Sequence, residues 1–400
     1  MREGWELKPL KDVCIVERGS SPRPIKSFIT EDEDGVNWIK IGDTKGVEKY
    51  IYKTNQKITK KGAEKSRYVD VGDFILSNSM SFGRPYIMKT QGYIHDGWFV
   101  FRLPENIDSE FFWYLLVSPN VKEQFQGLAS GAIVKNISGD LVKKTILPIP
   151  PLPEQTQIVN TLDLAFKQID QAKANLEKNL HNAKELFQSK LNEVFSQRGE
   201  GWEEKTLKEV CEKITDGTHQ TPKYFDEGVI FLSSRNVTSG KIDWDKIKYI
   251  DEEQHVAMHK RVAPKVNDIL LAKNGTTGVA AMVDRDVVFD IYVSLAHIRV
   301  LDTVLPHYML HFINSPIAKK QFNQRLKGTG VPNLHLKEIR EVVIPFPTSF
   351  DKQEKIITVL NDFSEITNKA ITHYQHKLNN LEELKKSILL KAFRGELEYE

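Results

Sequence analysis

The chain has 400 residues, more than one ordinary hydrophobic core accommodates, and its 56 Lys and Arg against 54 Asp and Glu leave a net charge of +2, which excludes a wholesale polycation. A charged opening, MREGWELKPLKD, and the lack of any apolar run near the roughly 18 residues of a membrane span argue against a secretory leader or spanning helix, so a cytoplasmic protein is expected. Cys14 and Cys211 stand far apart without CxxC spacing, which excludes a disulfide framework and makes both small core residues.

In chain order, the opening GWELKPLKDVC at 4–14 leads into a polar loop, RGSSPRPIK, where Ser20, Arg23 and Lys26 are candidate recognition residues. Across 40–67 nine basic residues, Lys40, Lys45, Lys49, Lys53, Lys57, Lys60, Lys61, Lys65 and Arg67, face three acids, Asp43, Glu48 and Glu64. Such a stretch either tracks a phosphate backbone or is a solvated surface loop. The apolar runs 74–76 and 98–101 are expected strands, and the first enters a polar turn, SNSMSFGR, offering Asn78, Ser79 and Arg84. Residues 109–126 carry helix-spaced Phe112, Leu115 and Leu116, and Lys135 and Asn136 follow. A proline-rich hinge, PIPPLPEQ at 148–155, precedes a long segment free of Gly and Pro. There Ile158, Leu162, Ala165, Ile169, Ala172, Leu176, Leu180, Ala183, Phe187, Leu191 and Val194 recur at spacings of three and four, one apolar stripe.

The chain then repeats itself. GWEEKTLKEVC starts at Gly201, 197 residues after the first opening at Gly4, with most positions identical. The loop TDGTHQTPK supplies Thr218, His219 and Lys223, and Arg235 lies beyond it. VNDILLAKNGTTG at 266–278 answers VGDFILSNSMSFG at 71–83 and supplies Lys273, Asn274 and Thr276. Runs at 269–272 and 296–300 read as strands, and 306–326 carries helix-spaced Met309, Leu310, Phe312 and Ile313. GTGVPNLHLKEIREVVIPFP at 328–347 answers GAIVKNISGDLVKKTILPIP at 131–150, aligning Asn333 with Asn136, and Lys327 precedes it. A second hinge, IPFPTSFDKQ at 344–353, opens a second stripe of Ile356, Leu360, Phe363, Ile366, Ala370, Tyr374, Leu378, Leu381, Leu384, Ile388 and Ala392. Each helix would be about 40 residues, or roughly 60 Å, and needs an equally long partner, which the other copy supplies. Chain connectivity permits either direction; a dyad between equal copies favours the antiparallel one.

No catalytic constellation is legible. A glycine-rich phosphate loop ending in Lys-Ser/Thr, a GxGxxG after a strand, a GxSxG elbow and an Asn/Asp-Pro-Pro-aromatic tetrapeptide are all missing. His255 with His259, and His307 with His311, have the four-residue spacing of a metal pair. Neither pair encloses the Glu of HExxH or has a neighbouring ligand that the other copy repeats, so no metal is expected. His219 beside Asp216 lacks a nucleophile.

The order and duplication of these marks resemble the specificity subunits of type I restriction-modification enzymes over essentially the whole chain. The residues that carry the resemblance are the GW-x-x-K-x-L-x-x-V openings at Gly4 and Gly201, ITDGTHQTPKY at 214–224, LPIPPLPEQ at 147–155 and AFRGEL at 392–397. The resemblance implies two target-recognition domains, each binding half of a split, asymmetric site in double-stranded DNA, spaced by the paired helices. It also implies two methyltransferase subunits docked on the helical regions and binding S-adenosylmethionine. Restriction subunits would add ATP- and Mg-dependent cleavage, and no catalytic residue, cofactor or metal would belong to this chain. The second hinge, PFPTSFDKQ, departs from the PPLxEQ form of the first, which bears on whether the second partner docks equivalently.

The expected fold is therefore mixed α/β, a pseudo-two-fold tandem repeat. Target-recognition domains at 1–150 and 199–347 are each followed by a long helix, at 151–198 and 348–400, the helices forming an antiparallel intramolecular coiled coil. Among the candidates, Arg and Lys suit guanine edges and Asn suits adenine, whereas Ser, Thr and many Lys contact only phosphate. The rival is a helix-pair scaffold whose globular parts bind protein; duplex binding that weakens with salt separates the two.

Overall fold

The computed structural model describes residues 2–78, 83–129, 139–238, 240–275, 277–326 and 333–398. By backbone proximity the chain divides into one unit of Met1–Leu176 with His376–Glu400 and another of Glu177–Gln375.

In the first unit the apolar runs are strands because both of their faces are covered. Phe74, Leu76, Phe99 and Phe101 pack toward helical Phe111, Phe112, Leu115 and Leu116. The alternate residues Ile75, Trp98 and Val100 turn the other way, onto Tyr86 and Met88. Two buried faces require apolar residues at every position rather than at every second one. Among the described residues one sheet runs Ile15–Arg18, Trp98–Arg102, Phe74–Ser77, Pro85–Met88, Tyr50–Ile51, and another Ile29–Thr30, Gln56–Ile58, Val36–Ile39, Gly92–Ile94, Arg67–Val69. The opening strand Glu6–Pro9 pairs antiparallel with the hinge strand Ile146–Ile149, setting Glu6 opposite Ile149.

The second unit repeats this plan. Its larger sheet runs Cys211–Asp216, Leu295–Val300, Ile269–Ala272, Val279–Met282, and its smaller one Lys248–Ile250, Val229–Leu232, Phe289–Ile291. Trp202–Thr206 pairs antiparallel with Val343–Pro347. The segments that identify the duplication, opening and hinge, are thus hydrogen-bonded to each other in each copy. The turn before the central strand is also kept: Gly72 has φ +95° and its counterpart Asn267 φ +72°, a left-handed position that Asn tolerates better than other side chains.

The helix-spaced segments at 109–126 and 306–326 are each two helices, Ser109–Val117 with Pro119–Ala129 and Pro306–Ile313 with Pro316–Arg325. Proline disfavours helical backbone at the residue before it, so Ser118 and Ser315 are extended, and the Ser315 hydroxyl caps the second helix by accepting from the Ala318 N–H.

The long helices are Leu152–Phe195 and Phe350–Arg394. In the first unit Ile158, Leu162, Phe166 and Ile169 share a core with Leu389, Ala392 and Phe393. Lys173 meets Glu382 at 2.7 Å and Asp170 meets Lys385 at 3.5 Å, so numbers fall along one helix as they rise along the other: the pair is antiparallel. In the second unit Leu191, Val194 and Phe195 share a core with Leu360. The stripe expected on the second helix needs two corrections: Ile366 is 64% and Leu384 46% exposed. The seam keeps a seven-residue step, from Leu360 to buried Thr367 and from Leu378 to Lys385, past the nearest apolar residue. Lys385 fits there by laying its ammonium over the Phe166 ring at 4.8 Å. Among the described residues no helix is long and apolar enough to cross a membrane.

One buried glutamine latches each long helix to its globular part. The Gln155 carboxamide accepts from the Asp108 N–H at 2.8 Å and donates to the carbonyls of Asn106 at 3.2 Å and Pro150 at 2.9 Å. Gln353 does the same with Leu305, Thr303 and Pro347 at 2.8, 3.0 and 3.1 Å. The second hinge has lost the PPLxEQ form but kept this residue and its bonds.

Candidate nucleic-acid interface

In the second unit three polar loops meet: the one after Cys211–Asp216, the turn from Phe289–Ile291 into Leu295–Val300, and the turn after Ile269–Ala272. A Cβ on Gly217 would stand 1.9 Å from the Ile291 carbonyl oxygen, so glycine is what lets the first loop lie on the second. The Thr218 N–H then donates to Ile291 at 3.0 Å, and the Val293 N–H to Thr218 at 2.9 Å. The Lys273 N–H donates to the Ser294 carbonyl at 3.0 Å, and Asn274 forms a backbone bridge with Asn333. The Ser234 N–H donates to the Ser294 hydroxyl at 3.0 Å, which brings exposed Arg235 to the same rim.

Asp216 is the buried hub beneath that rim. Its carboxylate takes Arg261 at 2.6 Å, His219 at 3.2 Å and Lys273 at 3.2 Å. Burial pushes this carboxyl upward, but the bonds and charge of Arg261 and Lys273, joined by His219, outweigh it and hold the group below the usual carboxylate range. Lys273, its side chain 6% exposed, is a strut between loops, whereas His219 is 64% exposed. Around the hub lies a basic, aromatic surface. Lys223 is exposed, its backbone clamped by the Gln254 carboxamide at 2.9 and 3.1 Å and its ammonium 5.3 Å from the Phe225 ring. Lys248 stands 3.7 Å over Tyr224, and the Tyr292 hydroxyl is 3.4 Å from Thr221. Flat rings beside cations suit bases and sugar-phosphate alike.

The first unit assembles the same loops with other residues. A Cβ on Gly19 would meet the His95 carbonyl oxygen at 2.0 Å, the counterpart of Gly217 on Ile291. The Ser20 N–H donates to Ile94 at 3.3 Å and its hydroxyl to Lys65 at 3.1 Å. Asn78 donates its side-chain amide to the Asp96 carbonyl at 2.9 Å and its N–H to Gly97 at 3.0 Å. The Asp96 carboxylate takes Ser21 at 2.6 Å and Arg23 at 3.4 Å; the Ser21 hydroxyl is the main cause holding it below the usual range. Arg23 remains 82% exposed, Lys26 and Arg84 are exposed, and Arg84 lies 5.6 Å from the Tyr86 ring centre.

The basic stretch at 40–67 is largely engaged at home. Lys49 is half-buried against Glu110 and over Trp113, Lys57 donates to the carbonyls of Asp32 and Glu33, Lys60 pairs with Asp34 at 3.2 Å and Arg67 with Glu17 at 2.9 Å. Half-buried Lys40 opens a 3-10 turn through its N–H to Asp43, and Lys61 is exposed. Ser79, Lys135, Asn136, Thr276 and Lys327 lie outside the described residues. The turns at 95–97 and 292–294, on which both rims are built, escaped the sequence reading. They stand at the same 197-residue offset, but share no identical residue that would mark them.

A duplicated α/β unit with a polar loop rim in each copy, its cores completed by paired helices, defines a tandem recognition protein. The chain belongs to the type I restriction-modification specificity family: the model described as "Type I restriction modification DNA specificity domain" matches residues 2–182 and again 199–382. It is 24% identical to the EcoKI specificity subunit of Escherichia coli strain K12 over 99% of this chain and 89% of that protein. With the MjaIX specificity subunit of Methanocaldococcus jannaschii it shares 24% identity over 99% and 94%. The EcoBI specificity subunit of Escherichia coli is 25% identical over 73% of this chain and 66% of its own. Among solved structures, a chain from work on the assembly and conformational transition of the type I R-M system superimposes with a TM-score of 0.79 at 20% identity, covering 99% of both chains. The HsdS subunit of Thermoanaerobacter tengcongensis gives 0.59 at 20% identity, over 99% and 98%.

Proposed function

We propose that this chain is the non-catalytic DNA-reading subunit of a type I restriction-modification complex in the cytoplasm. Residues 1–150 and 199–347 act as target-recognition domains, each reading half of a split double-stranded site, and 151–198 and 348–400 act as spacer helices. The observation that carries this reading is the loop rim built twice, on Gly19 and on Gly217, from different side chains: similar scaffolds with unequal surfaces suit two different half-sites. Arg23, Lys26 and Arg84 in one rim, and Thr218, His219, Lys223, Arg235, Asn274 and Asn333 in the other, are the proposed contacts. Two methyltransferase subunits dock on the helical regions and bring S-adenosylmethionine; restriction subunits bring ATP and Mg. Joining two weak half-site contacts raises affinity through effective concentration.

The test is to co-express the chain with its methyltransferase partner in a host lacking adenine methylation and map modified adenines across the genome. A two-part motif with a fixed gap, lost when this chain is omitted, is expected. No new methylation from a stable complex would overturn the reading.

A further inference from the structure

We propose that His255, His259 and Asp290 form a binding site for a divalent transition-metal ion of zinc-like chemistry in the second unit. Helix Glu252–His259, capped by Asp251, sets the two imidazoles one turn apart on one face, their centres 4.7 Å from each other. Asp290, on strand Phe289–Ile291 and 1% exposed, presents one carboxylate oxygen to each: His255 Nδ1 at 2.7 Å and His259 Nδ1 at 3.1 Å. The three ligand atoms lie within 4.8 Å of one another. The histidine spacing is legible in the sequence, but the third ligand is not, because Asp290 arrives from a strand 31 residues beyond His259.

Charge separates this cluster from the other buried aspartates of the unit. Asp216 is neutralised by Arg261 and Lys273, and Asp268 by Arg299. Asp290 meets imidazoles alone, with no Lys or Arg ion pair among the described residues. A buried carboxylate with no permanent cation beside it is one that a dication, held by the two imidazoles and the carboxylate, would stabilise. Zinc bonds to such ligands are about 2.0–2.2 Å, so a tetrahedral ion spaces its ligand atoms about 3.3 Å apart, somewhat wider than the 2.7 and 3.1 Å between each imidazole and the Asp290 carboxylate and within side-chain adjustment. The His259 side chain is 31% exposed and that of His255 14%, which leaves an approach and a fourth position for water. The ion would tie the helix whose Gln254 clamps Lys223 to the strand whose Ile291 holds Thr218. Metal binding itself stands independently of what the rim recognises.

The untagged full-length chain, stripped with EDTA, is titrated with Co2+ followed by its visible d–d absorption, and with Zn2+ by calorimetry and thermal shift. One ion per chain is expected, with intense tetrahedral-type Co2+ bands and a Zn2+-dependent rise in Tm. H259Q and H255Q should each weaken binding about 100-fold or more. H307Q, in the other four-spaced pair, should leave it unchanged. Should H255Q not fold, the more exposed H259Q carries the comparison. Missing Co2+ bands, or wild-type affinity in H259Q, would overturn the site and leave a carboxylate hydrogen-bonded to two imidazoles.

Discussion

Asp268 and its counterpart Asp73 follow the same left-handed turn, yet their carboxyls move in opposite directions. Burial raises both. For Asp73 it prevails, because its cationic partner, Arg102, reaches it at 3.3 Å through a single nitrogen. For Asp268 burial is outweighed by His297 at 2.7 Å and by a bidentate Arg299 at 2.8 and 2.7 Å, which bring the carboxyl from 3.8 down to about 2. A depressed folded-state value means stability that is complete above the unfolded value and is lost as pH falls through the folded one. Urea unfolding of the wild type should therefore lose on the order of 2 kcal/mol between pH 4 and pH 2 at this site. Asp268→Asn should be less stable at neutral pH and lack that part of the acid dependence; an unaltered acid limb would refute the assignment. Burial pushes the thiols of Cys14 and Cys211 up to about 12, which suits core residues and not nucleophiles or ligands.

At the scale of elements, the joint between each long helix and its globular part depends on one carboxamide. Removing Gln353 strands the Leu305 N–H and the carbonyls of Thr303 and Pro347 in a site where the side chain has no exposure. Gln353→Leu keeps the volume and is expected to cost about 3 kcal/mol, since each buried group left unpaired costs about 1–3 kcal/mol. Amide hydrogen exchange should then speed up at the start of helix Phe350–Arg394. Equal protection in the variant would show the latch to be dispensable. The seam shows how strongly geometry outranks side-chain type: a seven-residue step buries Thr367 and leaves Ile366 in solvent. Thr367 accommodates this by donating its hydroxyl to the Phe363 carbonyl at 2.9 Å.

For the whole molecule, duplication makes the two rims separable. Replacing Lys223 and Arg235 together with alanine should change or relax one half of the methylated motif, leaving the other half and the gap as they were. Changes in both halves would mean that the rims do not read independently. The sequence alone determined the duplication, the two proline hinges, the buried strands and the long helices. All of these rest on contiguous patterns: an unbroken apolar run or a period of 3.6, a proline that ends a helix, a motif that recurs. The equality of the copies favoured the antiparallel direction, and the structure has it. Only the tertiary structure decided which polar loops share a rim, because Gly217 meets Ile291, a residue far from it along the chain. Only it decided which cations are spent internally: Lys49 is held by Glu110, 61 residues away, and Lys273 by Asp216. It also brought Asp290 to two histidines whose spacing was visible without their third partner. The availability of a charge or a ligand atom is set by its neighbours in space, and these come from segments that only packing brings together.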